Sequence, residues 1–185
     1  MSTSPSPPPS KTTTPKLVHT ILHSALPPSE KTFDRIFAEV STVTGAAWET
    51  TASLLRLVVF HIYANPAILS TLRQELAALD SEYSLRQLEQ LPYFTAVLTE
   101  GMRLSPAVSS RAARITDKDL HYKEWRIPAG TPVSMTTILM HTDESIYPEP
   151  LRFEPERWMG TKARGARAPV YAPFSKGTRV CLGMQ

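Results

Sequence analysis

The sequence predicts a mainly helical fold carrying a small antiparallel sheet, and three observations predict it. Between Ser29 and Leu104, apolar residues recur at helical spacing in segments punctuated by capping residues and prolines. From Ile115 onward the pattern changes to short extended pieces separated by turn residues. Near the end of the chain, two glycines bracket the only cysteine, Cys181.

Composition bounds the rest. The chain has 185 residues, 42% hydrophobic and 20% charged, ordinary for one globular domain able to bury a core. A net charge of +3 is mild, and Lys11 and Lys16 in an acid-free N-terminal stretch supply much of it, so nucleic-acid binding is not indicated. A single cysteine argues against a disulfide-stapled secreted domain. The most apolar stretch, Leu54 to Ala64, is broken by Arg56 and His61 and is too short to span a bilayer. No signal peptide is expected, because residues 1–16 have no apolar core.

Those first 16 residues are almost entirely Ser, Thr, Pro and Lys, a composition expected to stay disordered, with the folded part running over 17–185. After Pro27 and Pro28, Ser29 reads as the N-cap of a long helix through Phe33, Val40, Leu54, Val58 and Ile62. Its apolar positions occupy more than one face, which predicts a helix buried in a larger body. Asn65 and Pro66 open the next helix, reaching about Leu79, and Ser84 with Gln87 reads as a capping box for a short one. A further helix from Tyr93 to Leu104 carries Glu100 and Arg103 on one face. Then come the extended pieces Leu120–Tyr122 and Trp125–Ile127, the turn Pro128–Thr131 and the apolar run Pro132–Met140, read together as the sheet. Asp143–Pro150 predicts a short helix, and Trp158–Pro173 an irregular meander with Lys162, Arg164 and Arg167. That basic run is either a solvated face or, with Lys176, a surface that steers an acidic partner into place.

The residues that carry chemistry lie at the end of the chain. Cys181 has no disulfide partner, so it is a buried thiol, a nucleophile or a metal ligand. Gly177 and Gly183 suit a tight loop or a close backbone approach, while Lys176 and Arg179 favour the thiolate. Phe174, Gly177, Arg179, Cys181 and Gly183 meet every fixed position of F-x-x-G-x-R-x-C-x-G, a coincidence of about one in a few million from background composition. This stretch resembles the haem-ligand loop of the cytochrome P450 family. The resemblance implies that Cys181 is the axial thiolate of haem iron, with Phe174, Gly177 and Gly183 shaping its loop and Arg179 pairing with a haem propionate. A thiolate ligand pushes electron density toward iron and favours O–O cleavage.

Three further stretches are similar to motifs of the same family, in family order. Ala46, Ala47, Glu49 and Thr50 look like its oxygen-binding segment, with Ala47 where a glycine is usual and the bulky Trp48 at the variable position. A carboxylate beside a hydroxyl could relay the two protons dioxygen needs; equally, Thr50 could bond back one turn and Glu49 be solvated. Glu100 and Arg103 resemble the E-x-x-R helix, and Glu156, Arg157 and Trp158 a segment supplying a second arginine; the resemblance implies a buried Glu100–Arg103–Arg157 scaffold. Pro106 to Ser110 would pass over the haem, and Arg114 matches a position that often meets a propionate, with Arg111 competing.

The resemblance implies a monooxygenase inserting one oxygen atom from O2 into a small apolar substrate, with NADPH electrons delivered by a reductase of the NADPH–cytochrome P450 reductase type. The family's chain is much longer, so this one is expected to be a C-terminal portion cut at both ends, in which Leu182–Gln185 are too few for a helix. Such a piece is expected to hold haem poorly alone; the competing reading is an inactive remnant, at most an interaction module. The full-length family is expected at the endoplasmic reticulum membrane, and this chain, without anchor or signal, in the cytoplasm.

Overall fold

The computed structural model describes residues 16–79, 82–105, 108–160 and 170–184. Met1 to Pro15 of the tail, Pro106 and Ala107, and Lys162, Arg164 and Arg167 of the meander lie outside the described residues. The chain divides into two compact units, Met1–Trp48 and Glu49–Gln185.

In the first unit, a short helix α1, Leu17–Leu22, follows Lys16. Pro28–Lys31 forms a 3-10 turn, and the long helix α2 begins only at Phe33 and runs to Ala64. Ser29 therefore lies inside the turn and does not cap α2. The extended Thr32 interrupts the coil, and its hydroxyl accepts the Arg35 N–H at 3.4 Å, a threonine N-cap one turn downstream of the expected one. Arg35 also bridges Glu30 at 2.8 Å and Glu39 at 2.7 Å.

The expectation of a helix buried on several faces is not met among the described residues. Val58 is the buried residue of α2, while Phe33, Phe37, Trp48, Phe60 and Tyr63 are exposed. One stripe, formed by Leu54, Leu57, Val58 and Ile62, packs in the core of the second unit against Ile68, Leu72, Tyr93, Val97 and Phe153.

The second unit follows the local signals closely up to residue 104. Asn65 caps α3, Pro66–Ala77, by accepting the Ala67 N–H at 3.1 Å. Ser84 and Gln87 form the reciprocal capping box of α4, Leu85–Glu89. Helix α5, Pro92–Leu104, starts with proline at its first position and is capped from another helix: the Glu75 carboxylate accepts the Tyr93 and Phe94 N–H groups at 2.8 and 2.7 Å. Gly101 lets α5 approach α2. A Cβ there would lie 2.3 Å from Val58 Cγ2 and 3.2 Å from Leu54 Cδ1, so a larger residue forces the helices apart.

Beyond α5, strands β1, Leu120–Tyr122, and β2, Trp125–Ile127, pair antiparallel with Leu120 opposite Ile127. The Pro128 turn forms as expected, with Gly130 at φ 81°. The run Pro132–Met140 does not extend the sheet. It contributes a lone bridge from Val133 to Arg114, and Thr137–His141 coils into α6. Buried hydrogen bonds of His141 and a Thr142 hydroxyl bond to Ile138 O at 2.7 Å hold that coil, and they outweigh the strand preference of the run. Nor is Asp143–Pro150 a helix. The Asp143 carboxylate captures the Ser145 N–H at 2.9 Å, Tyr147 N–H closes one turn onto Asp143 O, and Glu149 at φ 50° with two prolines prevents continuation.

Candidate functional site

Helix α5 carries Glu100 and Arg103 one turn apart, and the 3-10 turn Pro155–Trp158 brings Arg157 and Trp158 against them. The three charged residues are buried, with exposures of 0%, 2% and 7%. The Arg103 fork donates to both Glu100 oxygens at 2.8 and 2.7 Å, a bidentate pair. Arg157 Nε lies 3.3 Å from Glu100, and Glu100 also accepts the Trp158 indole N–H at 2.8 Å and the Glu154 N–H at 3.0 Å. The rest of the Arg103 fork is spent on backbone carbonyls of His141 at 2.6 Å, Pro150 at 2.7 Å and Arg152 at 3.3 Å. Arg157 reaches Glu154 and the Glu149 carbonyl, each at 2.9 Å. A buried carboxylate with this many donors is fully satisfied, which is the condition for burying charge without large loss of stability. The structure thus brings Glu100, Arg103 and Arg157 together.

His141 extends the network toward the cysteine loop. It is buried, with its Nδ1 3.1 Å from Arg103 O, while Nε2 accepts the Ala172 N–H at 3.0 Å. Because Ala172 can only donate, Nε2 carries no proton and Nδ1–H donates to Arg103 O. Burial pushes the His141 pKa down, in keeping with this neutral ring. Tyr171 stacks on it with centroids 5.6 Å apart and donates its hydroxyl to Thr99 O at 3.2 Å. Sequence reasoning missed His141, because a lone histidine closing an apolar run has no partner at a telling spacing.

From Ala172 the chain folds into the Cys181 loop. Ser175 N–H donates to Ala172 O at 3.0 Å and Cys181 N–H to Phe174 O at 2.9 Å, closing the loop on itself. Ser175 at φ 65° and Gly177 at φ 79° make the turn, and at Gly177 the left-handed conformation is what glycine supplies. Cys181 is exposed along the loop and lines a cavity of about 760 Å³. Thr50, Arg114, Phe174, Arg179 and Gly183 line the same cavity, so residues far apart in the chain converge on one wall system. Leu54, Met102, Val108 and Met135 give it apolar walls. The volume is in the range of roughly 300–1,000 Å³ common for ligand and cofactor sites.

Other expected site residues lie elsewhere. Glu49 has a largely exposed side chain, 3.7 Å from Arg56, and is not among the lining residues, although Thr50 beside it is. Arg111 does not line the cavity whereas Arg114 does; the Arg114 guanidinium also donates to Ala112 O at 3.0 Å. Gly177 shapes the loop without forming the wall. The segment after Cys181 is a short 3-10 turn, Leu182–Met184.

A family model described as cytochrome P450 matches residues 9–185. The chain belongs to the cytochrome P450 family. Among curated relatives, tryptophan 6-hydroxylase fscE of Fusarium equiseti is 44% identical over 89% of this chain and 33% of that protein. Cytochrome P450 monooxygenase TRI4 of Trichoderma arundinaceum is 43% identical over 90% of this chain and 34% of that protein. The chain therefore spans about a third of the length of the curated relatives it matches. A solved cytochrome P450, retinoic acid bound cyanobacterial CYP120A1, superposes with a TM-score of 0.63 at 31% identity, covering 73% of this chain and 31% of that one. The expected fold class, mainly helical with a small antiparallel sheet and part of the P450 fold, is borne out.

Membership of the cytochrome P450 family implies haem as the cofactor. The donor set on the cavity wall fits it: one thiol, two guanidinium groups able to meet carboxylates, and apolar walls for a flat macrocycle. No single helix among the described residues is long and apolar enough to cross a membrane.

Proposed function

We propose that the protein acts as a haem-thiolate monooxygenase, adding one oxygen atom from O2 to a small apolar molecule, with NADPH electrons delivered by a separate reductase. The observation that supports this best is the convergence of Cys181, Arg179, Arg114 and Thr50 on one apolar-walled cavity. Haem, when bound, supplies the iron at which O2 is activated. Cys181 would hold the haem iron through its sulfur, and Arg179 and Arg114 would hold the propionates by charge-assisted hydrogen bonds. Gly177 and the Cys181–Phe174 backbone bond set the loop that presents the thiolate. Leu54, Met102, Val108 and Met135 exclude water and favour an apolar substrate.

Thr50, on the wall, holds and passes a proton through its hydroxyl. Glu49 serves as the outer proton source only by turning from Arg56 toward that hydroxyl. Glu100, Arg103 and Arg157 touch no reacting atom and act as scaffold. Residues 17–185 form part of a single family domain, and the full-length enzyme works at a membrane surface.

The test is a chimera in which residues 17–185 replace the matching third of fscE. The reduced, CO-bound chimera is expected to show the long-wavelength Soret band of a thiolate haem, and Cys181→Ser to lose it. Retention of that band in Cys181→Ser would refute the ligand assignment, and a chimera with no thiolate band supports the inactive-remnant reading.

A further inference from the structure

We infer that His141 is a positioning residue for the cysteine loop, coupling the last turn of α5 to the amide from which that loop starts. Its ring has a bond on each side: Nδ1–H donates to Arg103 O at 3.1 Å, and Nε2 accepts the Ala172 N–H at 3.0 Å. Both bonds are buried, so neither is exchanged for water when broken.

On the α5 side the anchor is rigid, because Arg103 is also held by Glu100 and by the His141 carbonyl itself at 2.6 Å. His141 thus grips Arg103 twice, through backbone and ring. On the loop side Ala172 passes the position on: its carbonyl takes the Ser175 N–H, and Phe174, two residues along, takes the Cys181 N–H. Stacking on Tyr171, whose hydroxyl returns to α5 at Thr99, fixes the ring plane. Loop position is thereby tied to the scaffold by side chains that do not touch the cavity thiol. The consequence for iron ligation rests on the haem-thiolate reading; the mechanical coupling does not.

Two substitutions separate the two ends of the ring. His141→Gln places an amide oxygen where Nε2 stood and keeps an acceptor for Ala172. His141→Asn keeps a donor for Arg103 O and is too short to reach Ala172. Amide hydrogen exchange of the 185-residue chain is measured for both and for His141→Ala.

Exchange of Ala172 and Cys181 is expected to accelerate by about fivefold or more in the Asn and Ala variants, the factor of one hydrogen bond. The Gln variant is expected to stay close to the parent, with α5 amides such as Val97 unchanged in Gln and Asn. Unchanged exchange at Ala172 and Cys181 in Asn overturns the proposal. So does a Gln variant as fast as Ala, or acceleration in Asn that is equal at Val97, because the role is then general stability alone.

In the chimera, the Asn variant should show a larger share of the shorter-wavelength, neutral-thiol Soret band, and Gln the parent's share. Equal shares in all variants would also count against the coupling. Absence of any thiolate band in the parent chimera tells against the haem reading alone, since exchange needs no haem.

Discussion

The Glu100 network and the Cys181 loop belong to the same unit but are held by opposite means. Around Glu100 the carboxylate is buried and accepts from α5 and from the Pro155 turn, and Arg103 beside it is buried and donates to a carbonyl of α6. Around Cys181 the side chains are exposed, and the order comes from a few local backbone bonds and from Ala172. The scaffold bonds join residues within 100–158, whereas the loop lines a cavity with Lys176, Arg179 and Cys181. Stability and chemistry are therefore assigned to different residues, and substitutions should separate them.

The largest expected effect is at the scaffold. Glu100→Ala removes the acceptor for Arg103, Trp158 and the Glu154 amide and the charge 3.3 Å from Arg157 Nε at once, leaving the Arg103 guanidinium buried without its carboxylate while Arg157 keeps Glu154. Breaking a buried pair in this way costs about 3–5 kcal/mol, a large part of the stability of a domain. Urea unfolding followed by circular dichroism should show the transition moved to much lower denaturant or lost. A variant with parental stability would mean that the network does not hold the unit.

Gly101→Ala comes next and tests the contact between α5 and α2. The added methyl meets Val58 Cγ2 at 2.3 Å, and overpacking of a close contact costs about 1–3 kcal/mol despite alanine's better helix propensity. The double variant Gly101→Ala with Val58→Ala should recover part of that loss, since it clears the clash while opening little new space. Equal stability of Gly101→Ala and the parent in the same urea titration would show that the helices separate without loss.

These two sites also show what the sequence could and could not reveal. Asn65, Pro66, Ser84 and Gln87 act within one helical turn, so their helices were legible from local spacing. Glu100, Arg103 and Arg157 were recognisable by family motif, and the structure brings them together. Features that depend on distant partners were not legible. Glu75 caps α5 from α3, Gly101 matters only because of Val58, and α6 is coiled by bonds that His141 makes to Arg103 and Ala172. Thr50, Arg114, Phe174, Arg179 and Cys181, which the motifs single out, line one cavity. Glu49 points to Arg56 because adjacent positions on a helix face about 100° apart, so sequence adjacency to Thr50 did not place both on the wall.

The smallest expected effect on stability is at the loop, where Arg179→Ala should leave unfolding of the chain within about 0.5 kcal/mol of the parent. Arg179 is exposed on a 3-10 turn, its side chain is outside the buried network, and its removal opens no core space. If the guanidinium is reserved for a propionate, the loss appears only when haem binds. Haem titration of the chimera should then weaken by about fivefold, corresponding to roughly 1 kcal/mol for one exposed charge-assisted hydrogen bond, while the thiolate-type spectrum is kept. Arg179→Lys should recover only part of the affinity, because an ammonium cannot reproduce the planar fork. An Arg179→Ala chain that unfolds as readily as Glu100→Ala would erase the division between scaffold and loop. One that binds haem as tightly as the parent would leave the propionate contact to Arg114, whose guanidinium already shares its donors with Ala112 O and Ala113 O.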